Sequence, residues 1–170
     1  MASNQEILQK VQEKFADCVL ETKDELGEAT LSIKRECNVA VLSFLREDPD
    51  LAFDFLMDVC GVDYLEMGGP ERFAVVYHLY SMKHNHRLRV KAFVPEDDPT
   101  IDTVSHLWAA ANWAEREVFD MFGIEFNHHP DMRRILCPDD FEGHPLRKDF
   151  PLKGIGYRES FEKIERSNAQ

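Results

Sequence analysis

Late in the chain, two carboxylates and an aromatic ring recur at helical spacing. Trp113, Glu117 and Asp120 stand at i, i+4 and i+7, positions that share one face of an α-helix. Paired carboxylates on one face can divide general-acid and general-base roles or chelate a cation. The same pair can also form an ion-pair face for downstream arginines such as Arg133 or Arg134. Beyond it, His128-His129-Pro130-Asp131 offers imidazole and carboxylate donors. Adjacent histidines diverge and the proline limits adjustment, so this run favours a structural or interface role over metal binding. A stand-alone acid–base enzyme would have to work with Glu117, Asp120 and His129.

Other chemistries lack their residues. Cys18, Cys37, Cys60 and Cys137 contain no C-x2-C pair, the short loop that wraps a zinc ion or an iron–sulfur cluster. Four separate thiols, packed as small apolar side chains, are the expectation. No GxSxG elbow, Walker loop or GxGxxG is present, and Gly154-x-Gly156 alone is uninformative. His78 reads as a packed strand residue, whereas His84 and His86 flank a turn and should be solvated. His106 and His144 have no ligand partner at metal spacing.

The elements that must position these residues are readable from periodicity. Ser3 to Glu6 forms a capping box ahead of Ile7, Leu8, Val11 and Phe15, one face of a helix. Strands are predicted over 18–22 and 29–34 around a turn at Gly27. Val39, Leu42 and Leu45 predict a short helix ending before Asp48-Pro49. Leu51, Phe55 and Val59 predict a second helix over 50–59, with Gly61 as its stop. Phe73, Val75, Tyr77 and Leu79 alternate with their neighbours, as do Leu88, Val90, Ala92 and Val94, which predicts a hairpin turning near residues 84–86. A final helix spans 110–122 and ends at Gly123, a left-handed cap. Together these predict a two-layer α+β domain with a mostly antiparallel sheet packed by helices, over residues 1–127.

From residue 128 to 170 the reading is an extended, proline-rich arm. Four of the eight prolines, at 130, 138, 145 and 151, fall there. Ile135, Leu136, Phe141, Leu146, Phe150, Leu152 and Ile155 make it too apolar for a free linker. Such an arm wraps its own domain or lies along another protein.

Composition excludes other classes. The 170 residues carry 32 acids against 20 bases, a formal charge of −12. That argues against nucleic acid as a partner. Hydrophobic residues make up 44%, which is globular usage, yet no run approaches the roughly 18 apolar residues of a membrane span. The N-terminus, MASNQEILQK, shows neither a signal nor a transit pattern. The chain reads as soluble and cytosol-side.

Three strings, in order, carry a family resemblance. They are Glu115-Arg116-Glu117-Val118-Phe119-Asp120-Met121-Phe122-Gly123-Ile124, His129-Pro130-Asp131-Met132-Arg133-Arg134-Ile135-Leu136, and Gly143-His144-Pro145-Leu146-Arg147-Lys148-Asp149-Phe150-Pro151-Leu152. They closely resemble the C subunit of the proton-pumping NADH:quinone oxidoreductase, respiratory complex I. Gly61-Val62-Asp63-Tyr64 and the 72–94 hairpin resemble the same family. The resemblance implies a non-catalytic peripheral-arm subunit that binds no cofactor itself. FMN and the iron–sulfur clusters lie in partner subunits, and the D and B subunits build the quinone-reducing chamber. It further implies a bacterial, peripheral location on the cytoplasmic side of the inner membrane, and an arm that embraces the D subunit.

By the same resemblance, the site residues are interface residues. Glu115, Arg116, Glu117, Asp120 and Gly123 would order the final helix. His129, Pro130, Asp131, Arg133 and Arg134 would fix the start of the arm, and Gly143, Pro145, Arg147, Lys148 and Asp149 its far end. The close alternative is the homologous subunit of a membrane-bound hydrogenase or a ferredoxin-fed relative of complex I.

Overall fold

A computed structural model describes residues 3–155. The remainder of the predicted arm, residues 156–170, lies outside the described residues. Helix α1 (Asn4–Lys14) starts from the Ser3–Glu6 capping box, in which side chain and backbone bond reciprocally. Strands β1 (Val19–Glu25) and β2 (Glu28–Lys34) form a hairpin, and a 3-10 turn (Arg35–Cys37) leads into α2 (Asn38–Glu47). Then come β3 (Phe55–Asp63), β4 (Phe73–Ser81), β5 (His86–Val94), the short β6 (Thr100–Asp102), α3 (Ala111–Phe122) and β7 (Glu125–Asn127).

Five strands make one sheet in the order β1-β2-β5-β4-β3, antiparallel except for the β2–β5 pair. Strands β6 and β7 pair in parallel beside it. The regular alternation of β4 and β5 has its expected consequence. Phe73, Val75, Tyr77 and Leu79 lie opposite Val94, Ala92, Val90 and Leu88, and all are buried. Ile7, Leu8 and Val11 of α1, Val41, Leu42 and Leu45 of α2, and Val118, Met121 and Phe122 of α3 join them in one core. The fold is α+β with a mostly antiparallel sheet.

Residues 50–59 are not a helix. The stretch turns at residues 48–52, where Ala52 has φ +44°, and then enters β3. Leu51 lies in the turn before the strand, and a register shift between Leu56 and Asp58 breaks the strand's alternation, so Leu51, Phe55 and Val59 do not share one face. In fact Leu51 and Val59 are buried while Phe55 is half exposed. Gly61 is a strand residue that touches α3. A Cβ there would sit 2.5 Å from the Phe122 ring.

Two further expectations are corrected. His86 is buried, not solvated: its Nε2 bonds the Leu51 carbonyl at 2.8 Å and its ring packs on Phe53. The hairpin tip folds over the 48–52 turn, a feature that a helix at 50–59 would not provide. Cys18 and Cys37 are joined by a disulfide, with Cα atoms 5.8 Å apart, while Cys60 and Cys137 are free. The two positions are nearly symmetric about the Leu26-Gly27 turn, so the β1–β2 hairpin brings them together.

Gly61→Ala should destabilise the chain by about 1–3 kcal/mol, the usual cost of forcing a methyl into a packed contact. Denaturant melts check this, and a neighbouring change such as Val62→Ala calibrates the loss of ordinary packing.

Candidate functional site

Helix α3 delivers its charged residues to different places. Glu115, Arg116 and Asp120 are buried, whereas Glu117 is exposed on the same side as Trp113. Glu117 and Asp120 therefore do not form a carboxylate pair. The i, i+3 spacing holds, but the segment after residue 130 covers Asp120 and leaves Glu117 in solvent.

Asp120 is the focus of that covering. Its Oδ2 accepts the backbone N–H groups of Ile135 (3.1 Å), Leu136 (2.7 Å) and Cys137 (2.9 Å). Its Oδ1 accepts Arg134 Nη1 at 2.8 Å. Consecutive amides converging on one anion make a backbone nest. Burial alone would raise the Asp120 carboxyl, but the amides of Cys137, Leu136 and Ile135 and the Arg134 guanidinium outweigh it and hold the group below the usual carboxylate range.

The same segment caps the end of α3. A helix leaves its last carbonyls without intrahelical partners. Here the Asp120 carbonyl accepts His144 Nδ1–H (3.0 Å), the Met121 carbonyl accepts the Leu146 N–H (3.1 Å), and the Phe122 carbonyl accepts Arg147 Nε–H. The Arg147 cation also suits the negative end of the helix dipole. Gly123 is required twice over. It holds φ +71°, and a Cβ would lie 2.5 Å from both Arg147 and His144. Gly143, also at positive φ, lies against the Phe150 ring, and its carbonyl oxygen accepts Arg134 Nη2 at 3.1 Å.

A second cluster fixes the far end. Asp63, at the end of β3, accepts the Lys148 N–H at 2.9 Å and two nitrogens of Arg72 at 3.2 and 3.0 Å. Arg72 in turn pairs with Asp149 at 2.9 Å and with Glu96. Burial would raise Asp63, but Arg72 and the N–H groups of Lys148 and Leu65 hold it low. The Asp63 carboxylate beside Arg72 raises that guanidinium's pKa. Pro145, half-buried, lies between the two clusters.

The start of the segment is held differently. The buried His129 ring donates from Nε2 to the Asn112 carbonyl (3.1 Å) and accepts the Asp131 N–H at Nδ1 (3.1 Å). Arg116 donates to the Arg133 carbonyl at 3.0 Å and lies over Trp113. Pro130 is exposed, and Arg133 and Asp131 pair with each other at 2.7 Å near the surface, where such a pair contributes little. Among the described residues, no three His, Cys, Asp or Glu side chains converge as a metal site.

Asp63, Arg72 and Glu96 belong to this site but are not among the site residues expected from the sequence, although Asp63 and Arg72 lie in strings that resemble the family. Asp63 and Arg72 flank the β3–β4 connection, where Asp63 pairs in register with Phe73. The signal that places them together is a strand over 55–63, which the helical stripe conceals.

Among the residues that remain outward, beside charged ones such as Asp140, Glu142 and Lys153, are several large apolar side chains. Leu136, Leu146, Leu152 and Ile155 are exposed, Leu152 completely. Cys137, Phe141, Pro145, Phe150, Leu152 and Ile155 line a concavity of about 1040 Å³.

Residues 31–155 match the family described as respiratory-chain NADH dehydrogenase, 30 kDa subunit. The C subunit of NADH-quinone oxidoreductase from Geobacter metallireducens is 52% identical over 156 residues, covering 92% of this chain and 94% of that protein. The solved trypsin-resistant fragment of Nqo5 is 37% identical with a TM-score of 0.65, covering 75% of this chain and 97% of the fragment. A chain of the membrane-bound sulfane sulfur reductase, an archaeal respiratory membrane complex, superposes with a TM-score of 0.74 at 25% identity, over 98% of this chain and 95% of that one.

Asp120→Asn should cost about 2–3 kcal/mol, because it removes the charge from hydrogen bonds of the stronger, ion-assisted kind. It should also speed tryptic cleavage after Arg133 and Arg134. Asp131→Asn, on the surface pair, should leave both the unfolding transition and the cleavage rate unchanged.

Proposed function

The chain belongs to the respiratory-chain NADH dehydrogenase 30 kDa subunit family, and from that premise we propose that it is a non-catalytic scaffold of the peripheral arm. Its relatives are subunits of NADH-quinone oxidoreductase, so it is a subunit of a membrane-associated respiratory complex. No helix of the described residues is long and apolar enough to cross a membrane. In the proposed role it docks on the B and D subunits, on the cytoplasmic side of the inner membrane. Electrons pass from NADH through FMN and iron–sulfur clusters of partner subunits to quinone, and this chain binds none of those groups.

One observation carries the docking reading. Residues 131–149 are bound to their own domain mainly through backbone groups and charged side chains, and this leaves Leu136, Leu146, Leu152 and Ile155 turned outward. Several large apolar side chains exposed along one segment, two of them lining a concavity, suit a protein interface. A segment ordered before it meets its partner gives up less entropy on binding. The apolar side chains are then free to supply the desolvated centre of the contact. The fold likeness to the sulfane sulfur reductase complex suits a related respiratory enzyme too, but relatives near 50% identity favour the NADH enzyme.

The double change Leu136→Ser, Leu146→Ser tests this. Both side chains are exposed, so stability of the isolated chain should stay within about 0.5 kcal/mol of wild type. Recovery of the B and D subunits in a tagged pull-down, and quinone reductase activity of the membranes, should both fall about tenfold or more, the effect of losing roughly 1.4 kcal/mol at an interface. Undiminished assembly and activity would sink the docking role.

A further inference from the structure

Glu115 takes no part in the clusters that hold the segment, yet its carboxyl is completely buried. Among the described residues, no Lys or Arg pairs with it. The neighbouring Arg116 is turned to the Arg133 carbonyl and the Trp113 ring. The groups facing Glu115 come from several parts of the fold. Val104 N–H donates to Oε1 at 2.8 Å, and the Thr103 hydroxyl bonds Oε2. His129 Nε2 lies 3.8 Å from Oε2, with its hydrogen directed to Asn112. The buried Tyr77 phenol on β4 feels both Glu115 and Asp102 of β6.

The Thr103 hydroxyl connects this interior to the surface. Its oxygen lies 2.9 Å from Ser105 Oγ and also accepts the Ser105 N–H at 3.1 Å. One hydroxyl hydrogen cannot serve both Glu115 and Ser105, so its direction depends on whether Glu115 carries a proton. With Glu115 ionised, Thr103 donates to the carboxylate and Ser105 donates to Thr103. With Glu115 protonated, the carboxyl donates to Thr103 and Thr103 donates to Ser105. Thr103 and the half-buried Ser105 both line an open cleft with Val39, Asp102, His106, His128 and Pro130.

We propose that Glu115 is a proton-binding site that exchanges its proton with this cleft through the hydroxyls of Thr103 and Ser105. A hydronium ion in the cleft gives a proton to Ser105 Oγ, Ser105 passes its own to Thr103 Oγ, and Thr103 passes its own to Glu115 Oε2. One O–H bond forms on the carboxylate, one breaks in the hydronium ion, and each hydroxyl ends with a single hydrogen. The reverse sequence releases the proton. Burial raises the carboxyl to about 7 against the hydrogen bonds from Thr103 and Val104, so both states are populated near neutrality. This goes beyond the docking role and does not depend on it.

The sign of the linked stability is fixed. The folded carboxyl binds its proton more tightly than the unfolded one, so stability falls as pH rises from the ordinary carboxylate range to about 7 and is level above it. Glu115→Gln should remove that slope. Infrared titration of the full chain should show a carboxyl band with a midpoint near 7 that is missing from Glu115→Gln. After a pH jump, Thr103→Val should slow the change in that band by about tenfold, corresponding to roughly one hydrogen bond's contribution to the barrier. Ser105→Ala, at a half-buried site, should slow it in the same sense and serves as the comparison if Thr103→Val does not fold. A band titrating in the ordinary carboxylate range would overturn the site. Unchanged exchange in the hydroxyl variants would overturn the relay.

Discussion

A single carboxylate oxygen that receives three consecutive backbone amides is the constraint on which the rest of the site depends. Asp120 Oδ2 fixes the direction of the chain at Ile135, Leu136 and Cys137. Because amides rather than side chains make these bonds, the residues there remain free to point elsewhere. A buried anion left without partners would be costly, so Asp120 and the segment order one another. The carboxylate lies beside the carbonyls that end α3, and the segment caps both at once through His144, Leu146 and Arg147. Gly123 permits that approach because any side chain there would occupy the space of Arg147 and His144.

The domain is the platform for this arrangement. The packing of α3 on β3 places the helix end beside Asp63, so that the two acidic anchors lie on one side of the molecule and a short span of chain reaches both. Gly61 sets how closely β3 meets Phe122 and thereby where the helix ends. The chain's acidity then has a local use. Two of its acids are buried as hydrogen-bond acceptors for a segment rich in amides and arginines. Because both carboxyls are held below the ordinary range, this contribution is fully present above that range and is lost as pH falls below it, through their lowered values.

Much of the fold is legible in the sequence, because the β4–β5 hairpin, the capping box and the Gly123 stop each rest on local signals strong enough to survive packing. A helix over 50–59 fails because Leu51 lies in a turn and a bulge in β3 puts Phe55 and Val59 on different faces. Periodicity alone cannot separate apolar spacing of four in a strand from that in a helix. That one error also conceals the burial of His86 and the meeting of Asp63 with Arg72. The Cys18–Cys37 link is readable in principle from its symmetry about the turn, but spacing rules for metal sites draw attention away from it. Glu115 lies within a distinctive string, yet nothing in that string separates its buried, cation-free position from the exposed one of Glu117. Partner contacts lie beyond any single chain; on the proposed role, the outward Leu136 and Leu146 are where they begin.

The most direct test is amide hydrogen exchange of the full-length chain, read at Ile135, Leu136 and Cys137. Protection of these three amides well above that of the exposed loop amides at Asp139 and Asp140, lost when Asp120 is protonated in acid, is the expected result. Exchange at the rate of an unstructured peptide at neutral pH would contradict it, and the segment would then have no fixed place on its own domain.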